Sequence, residues 1–152
     1  MNRLQQLIED VSAISLIDVN QIKTLLYWSV ATYGHPVLNK FPVLRVTGDS
    51  ETGKSDLCEV LRDICRPPAV FEDIKPWSEA GIRRELNKAY LAKGTCVFDE
   101  ADDFPYEYYE MLFEKNRSTH KNSKQVKGEW QENETELWCP LALNGRTSLN
   151  DV

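Results

Sequence analysis

Apolar residues repeat at helical spacing in the first part of the chain, and this pattern predicts two helices before residue 38. Asp18 stands before the second of them as a helix-capping residue, and Gly34 and Pro36 are expected to end it, Gly34 as a left-handed cap. We therefore predict that residues 1–38 form an N-terminal helical segment. The residues that define the two apolar faces are Leu4, Leu7, Ile8 and Val11, then Ile22, Leu25, Leu26 and Val30.

From Phe41 onward, short apolar runs alternate with amphipathic stretches. The strand-like runs are PVLRVTG, AVFEDI, TCVFD and LWCPLALNG, and a helical pattern follows each of the first three. The polar segment STHKNSKQVKGEWQENE, between the third helix and the last strand, is predicted to be irregular or hairpin-like. Strands that alternate with helices predict an α/β fold with a mostly parallel sheet, here over residues 39–152.

Composition and charge narrow the classes of protein. The 152 residues are enough for one domain with a core, and 18 basic against 24 acidic residues give a net charge of -6. Attraction to nucleic acid must therefore be local. The four cysteines show no zinc-ligand spacing, so no metal site of that kind is expected. No apolar run is long enough to span a membrane and no signal peptide is apparent, so we expect a soluble, cytoplasmic protein without membrane contact.

The stretch GDSETGKSD, residues 48–56, lies between the first predicted strand and its helix. It matches G-x-x-x-x-G-K-[ST] at every fixed position, a pattern in which glycines let backbone N–H groups point at an anion. Lys54 would reach the β and γ phosphates of a nucleotide, and the Ser55 hydroxyl would bind Mg²⁺. The predicted nucleotide-binding residues are Gly48, Asp49, Ser50, Glu51, Thr52, Gly53, Lys54, Ser55 and Asp56.

An alternative to nucleotide binding remains for this stretch. A glycine turn capped by Ser55 would account for the same residues without any ligand. Asp49 and Glu51 would also repel a triphosphate unless their carboxylates face solvent.

A second motif lies at the end of the third predicted strand. The last residue of TCVFD is Asp99, and Glu100 follows it directly. A carboxylate at this place could hold Mg²⁺, and its neighbour could act as a general base toward water. We therefore predict Asp99 as a metal-binding residue and Glu100 as the catalytic base. The alternative is a strand end followed by acids that cap the next helix, which is our interpretation of Asp102 and Asp103.

The two motifs resemble the Walker A and Walker B motifs of P-loop ATPases of the additional-strand class. The segments VLRVTGDSETGKSDLCEVLRDICRPP and LALNGRTSL are similar to AAA+ ATPase cores, in particular those of phage and plasmid primase or replicative helicase proteins. The resemblance implies a three-layer P-loop NTPase core over residues 39–152, preceded by the two helices. It also implies that Asn144 is the catalytic sensor-one residue, which hydrogen-bonds the γ phosphate or the attacking water; an ordinary turn residue before Gly145 is the alternative.

Further expectations come with the resemblance. Such cores form homo-oligomeric rings and continue beyond sensor one, so residues 39–152 are expected to be an incomplete core, and no arginine finger is assigned. In helicase-like relatives the insertion before sensor one carries a hairpin that touches single-stranded DNA, and Lys121, Lys124 and Lys127 would make such contacts here. A solvated loop, balanced by nearby glutamates, is the alternative.

Taken together, these observations predict binding and hydrolysis of ATP with Mg²⁺, with Lys54, Glu100 and Asn144 as catalytic residues, in a ring-forming DNA replication ATPase or helicase. Two other classes remain. A small-molecule kinase would use the same loop but transfer the phosphate to a bound hydroxyl. A non-catalytic nucleotide-binding module would bind ATP without turnover.

Overall fold

A computed structural model describes residues 3–14, 18–67, 69–73, 78–126 and 129–146. Within them the α-helices are α1 (Arg3–Ile14), α2 (Val19–Ala31), α3 (Lys54–Ile64), α4 (Glu79–Ala92) and α5 (Glu107–Phe113). The strands are β1 (Leu44–Thr47), β2 (Ala69–Asp73), β3 (Thr95–Asp99), β4 (Thr119–Val126), β5 (Glu129–Glu136) and β6 (Leu141–Gly145).

Four strands form one sheet in the order β1-β6-β3-β2, and every neighbouring pair is parallel. The predicted α/β fold with a mostly parallel sheet is therefore confirmed. Thr47 is paired with Gly145, and Phe98 is paired with Leu143. The last described strand, β6, thus lies between β1 and β3, and the carboxyl ends of these three strands meet at one edge of the sheet.

Helices cover both faces of this sheet because its central strands alternate their side chains between two apolar clusters. Val97 and Ala142 pack with α1, α2 and α3 on one face. Cys96 and Phe98 pack with α4 and α5 on the other. All residues of β3 and β6 are buried, as expected for a parallel sheet covered on both sides. The four free cysteines are buried in these layers.

The start of α2 follows the sequence prediction and its end does not. Asp18 is the N-cap, and its carboxylate accepts a 2.8 Å hydrogen bond from the backbone N–H of Asn20. After Ala31 the chain continues as a 3₁₀ helix, Thr32–Val37, which includes Pro36. Among the described glycines only Gly53 has a positive φ, so the predicted left-handed cap at Gly34 is wrong.

The polar segment after α5 forms an antiparallel hairpin of β4 and β5, separate from the main sheet. Leu137 N–H donates to the Ser118 carbonyl at 2.8 Å and closes its base. The predicted strand LWCPLALNG is shorter than expected, since β6 begins only after Pro140, which has no N–H to donate to a neighbouring strand. None of the described helices is long and apolar enough to cross a membrane.

Candidate nucleotide site

The glycine loop, residues 48–53, connects β1 to α3 and folds around its own polar groups. The Lys54 ammonium turns back over the loop, where it donates to the Asp49 carbonyl and lies 3.4 Å from Thr52 Oγ1. Thr52 Oγ1 itself donates to the Asp49 carbonyl at 2.8 Å. Neither of these partners carries a charge, and no ion pair of Lys54 is formed with the residues that the structure describes, so its positive charge is offered at the loop.

Backbone geometry explains both fixed glycines of the loop. Gly53 has a φ of 78° and acts as the N-cap of α3, a conformation that costs an L-residue roughly 1–2 kcal/mol. A Cβ on Gly48 would lie 3.2 Å from Thr52 Oγ1 and 3.8 Å from Lys54 Cδ. Glycine at these two positions therefore permits the turn and keeps space for the lysine to cross the loop.

The carboxylates of the loop are exposed. Asp49 and Glu51 both face solvent, as do Ser50, Ser55 and Asp56. This is the arrangement under which two acids in the loop are compatible with a bound polyphosphate. The Ser55 hydroxyl is in the first turn of α3, where the positive end of the helix dipole favours anions.

Two acids with different surroundings lie at the end of β3, Asp99 as its last residue and Glu100 directly after it. Asp99 is 6% exposed, and its Oδ1 accepts hydrogen bonds from the Glu100 N–H at 2.8 Å and from Asn144 Nδ2. Glu100 is exposed and has a φ of 51°, which is uncommon for a residue with a side chain. Such conformations persist where the surroundings hold them, and they cluster at functional sites.

Asn144, near the end of β6, is 3% exposed. Its Nδ2 is bonded to Asp99, whereas its Oδ1 is buried and has no hydrogen-bond partner within the described residues. A buried acceptor without a partner is costly and calls for an explanation. Among the described residues at this edge of the sheet, the Asn144 Oδ1 is the one buried side-chain atom without a hydrogen-bond partner.

Cys58 in α3 belongs to the same buried environment. Burial raises the pKa of its thiol to about 12, the Asp99 carboxylate adds to the increase, and the hydrogen bond with Asn144 opposes it. The thiol is therefore protonated at neutral pH. Its position one turn after Lys54 connects the helix behind the glycine loop to Asp99 and Asn144.

A cleft of about 410 Å³ extends from the glycine loop along β1 to α2. Lys54, Thr52 and Gly48 line its loop end, and Gln21 and Thr24 of α2 line its far end. Small-molecule sites typically occupy 300–1,000 Å³, so the cleft has the volume that a ligand needs. The sequence pattern did not predict a role of α2 in this cleft, because helical periodicity identifies buried faces and says little about the edge of a face.

Two of the three predicted nucleic-acid residues, Lys121 and Lys124, lie in β4 of the hairpin. Lys121 forms a 2.9 Å ion pair with Glu134 of the opposite strand, and that hydrogen bond raises the pKa of Lys121. Lys124 lies in β4 opposite Gln131, and Lys127 falls outside the described residues. Of the predicted basic residues, Lys121 is therefore already paired with an acid.

The fold brings Asp99, Glu100 and Asn144 together, and α3 with its glycine loop lies beside them through Cys58. No cluster of three or more His, Cys, Asp or Glu side chains that could hold a metal occurs among the described residues. A comparison with protein-family models and one with curated proteins found no match to the chain.

Proposed function

We propose that the chain is a P-loop ATPase that binds Mg²⁺-ATP at residues 48–56 and hydrolyses it with Glu100 as the general base. The observation that carries this proposal is the glycine loop, in which the Lys54 ammonium crosses a turn made by Gly48 and Gly53 and bonds to the Asp49 carbonyl. The strand order supports it too, because β6 brings Asn144 next to Asp99 beside that loop.

The triphosphate would lie on the loop with its nucleoside in the adjoining cleft. Lys54 would exchange its bonds to the Asp49 carbonyl and Thr52 for bonds to phosphate oxygens. The carbonyl and hydroxyl are neutral acceptors whereas phosphate oxygens are anionic, so the exchange adds an attraction between opposite charges. The exposed carboxylates of Asp49 and Glu51 would remain in solvent.

The residues present fit a magnesium ion shared with the nucleotide. Hard cations prefer oxygen ligands and keep several waters, and Mg²⁺ is usually held by one or two protein groups plus phosphates. Ser55 and Asp99 would be those groups. Mg²⁺ would supply positive charge beside the β and γ phosphates.

Three side chains would divide the hydrolytic work. The exposed carboxylate of Glu100 would accept the proton of the attacking water. The unpartnered Oδ1 of Asn144 would accept a hydrogen bond from that water, whose oxygen would thereby be oriented toward the γ phosphate. Lys54 would stabilise the charge that develops on the phosphate oxygens.

Assembly and a replication role are the wider part of the proposal. A homo-oligomeric ring that acts on single-stranded DNA would employ the β4–β5 hairpin, which is inserted between β3 and β6. Lys121, Lys124 and Lys127 would provide its phosphate contacts. Their charges have to outcompete the glutamates of β5, among them Glu134.

Isothermal calorimetry with Mg²⁺-ATP tests the binding step. Lys54→Ala should weaken ATP binding on the order of 10- to 150-fold, because one charged hydrogen bond contributes about 1.5–3 kcal/mol. Lys115→Ala is the matched control, since this exposed lysine lies near Asn39, at the opposite edge of the sheet.

Equal ATP affinity in the parent and in Lys54→Ala would refute the phosphate site. Release of free phosphate without any acceptor would distinguish hydrolysis from transfer to a hydroxyl, as in a kinase. ATP binding with no phosphate release at any protein concentration would leave a nucleotide-binding module.

A further inference from the structure

The turn after β3, residues 99–102, is joined to the end of β6 on both sides of Glu100. Before Glu100, Asp99 Oδ1 accepts a hydrogen bond from Asn144 Nδ2. After it, Ala101 N–H donates to the Asn144 carbonyl at 2.6 Å. One residue further, Asp102 Oδ1 accepts from the Arg146 N–H at 2.6 Å. The residues directly before and after Glu100 are thus both attached to Asn144 of β6.

The lack of a side chain at Gly145 leaves room for the Asp102 carboxylate beside β6. The φ of Gly145 is not positive, so a left-handed conformation does not explain the glycine. A Cβ there would lie 2.8 Å from Asp102 Oδ1 and 3.3 Å from Arg45 Nη2. Any side chain at position 145 would therefore push the Asp102 carboxylate away from β6.

Arg45 of β1 also lies close to Gly145, where a Cβ would be 3.3 Å from its Nη2. Its guanidinium donates to the Tyr109 hydroxyl and lies 5.8 Å from the centre of the Tyr109 ring. An acid from the turn after β3 and a base from β1 therefore both lie beside Gly145, near the end of β6. Burial raises the pKa of Tyr109, which stays a neutral hydroxyl beside the guanidinium.

We propose that Asp102 is a positioning residue that holds Glu100 in its left-handed conformation, next to Asn144, by binding the backbone of Arg146. The sequence pattern had assigned Asp102 to helix capping, but the described start of α5 has no side-chain cap. The proposal rests on the proposed function, in which Glu100 and Asn144 act on the same water. Misplacement of a catalytic group by about 1 Å can cost on the order of 10²-fold in rate.

Three variants test this role, with single-turnover ATP hydrolysis and ATP affinity as readouts. Asp102→Ala should slow hydrolysis on the order of 10- to 100-fold with ATP affinity unchanged, because Asp102 does not belong to the glycine loop. Asp102→Asn keeps an oxygen that can accept the Arg146 N–H, so it should restore most of the rate. Asp103→Ala is the matched control, an exposed acid one residue further on.

Asp102 is exposed, so its truncation leaves no buried cavity; Gly145→Ala provides an independent perturbation that should slow hydrolysis as Asp102→Ala does. Parent-like hydrolysis by Asp102→Ala would overturn the positioning role and leave the ATPase proposal intact. Equal losses in Asp102→Ala and Asp102→Asn, or a loss of ATP affinity in either, would also overturn it. A parent that binds ATP and never hydrolyses it would overturn the ATPase proposal itself.

Discussion

Replacement of Glu100 by Gln separates the proposed chemistry from the architecture that supports it. Within the described residues, the backbone N–H of Glu100 donates a hydrogen bond to Asp99, and the Glu100 side chain is exposed. Glutamine keeps the shape, the backbone bond and the φ of 51°. Folding and ATP affinity should therefore match the parent.

The expected loss lies in the rate of hydrolysis alone. General base catalysis is typically worth 10²- to 10⁴-fold, and an amide cannot accept the proton, so Glu100→Gln should slow phosphate release by at least about 100-fold. Phosphate release at saturating Mg²⁺-ATP measures this, and the same samples give ATP affinity by calorimetry.

Asp99→Asn is the informative partner of this variant. The asparagine can still accept the hydrogen bond from the Glu100 N–H, but the negative charge that is proposed to bind Mg²⁺ is lost. We expect it to raise the Mg²⁺ concentration that half-maximal hydrolysis needs. If Glu100→Gln hydrolyses ATP as fast as the parent, or if it loses ATP affinity instead, Glu100 is not the base.

Three further predictions address the hairpin, assembly and stability. Joint replacement of Lys121, Lys124 and Lys127 by Ala should weaken single-stranded DNA binding and reduce the log-log salt slope by about 0.7 per lost phosphate contact; titrations that give equal slopes would assign the hairpin to a solvated connection. Specific ATPase activity should rise with protein concentration if a neighbour completes each site, as a supplied arginine does by roughly 10³- to 10⁵-fold in the related GTPase case; activity independent of dilution would refute the ring. Burial lowers the pKa of His35 from 6.5 to about 4. The unfolded chain therefore binds the proton first as pH falls, and the free energy of unfolding should drop by about 1.4 kcal/mol between pH 7.5 and 5.5. Urea unfolding should show this loss in the parent and in His120→Gln but not in His35→Gln; an unchanged pH slope in His35→Gln would contradict it.

Local patterns predicted those parts of the molecule that depend on neighbouring residues. The strand, glycine turn and helix around Gly53 are specified within about 20 residues, and the structure has all three in the expected order. The same holds for the N-cap at Asp18. Each depends on backbone conformation and short-range hydrogen bonds, which residue types indicate directly.

Features that depend on distant parts of the chain were missed or only partly predicted. The hairpin lacks a clear alternation of apolar and polar residues, so its strands gave no firm signal, and its stability depends on cross-strand pairs such as Lys121–Glu134. The end of α5 at Phe113 is followed by a long-range contact, since the next residue, Glu114, forms an ion pair with Lys40. The positive φ of Glu100 has no signature in residue type at all.

The hydrogen bond between Asn144 and Asp99 shows why sheet order matters more to this site than either motif alone. The two residues are 45 positions apart, and they meet because β6 lies between β1 and β3 and not at the sheet edge. With β3 directly beside β1, the same acids would follow the same strand, yet no amide would stand between them and the glycine loop. The Oδ1 of Asn144 would then not lie beside Asp99, and the turn at Glu100 would lose its attachments on both sides. A hydrolytic role for Glu100 therefore depends on the insertion of β6 as much as on the carboxylate itself.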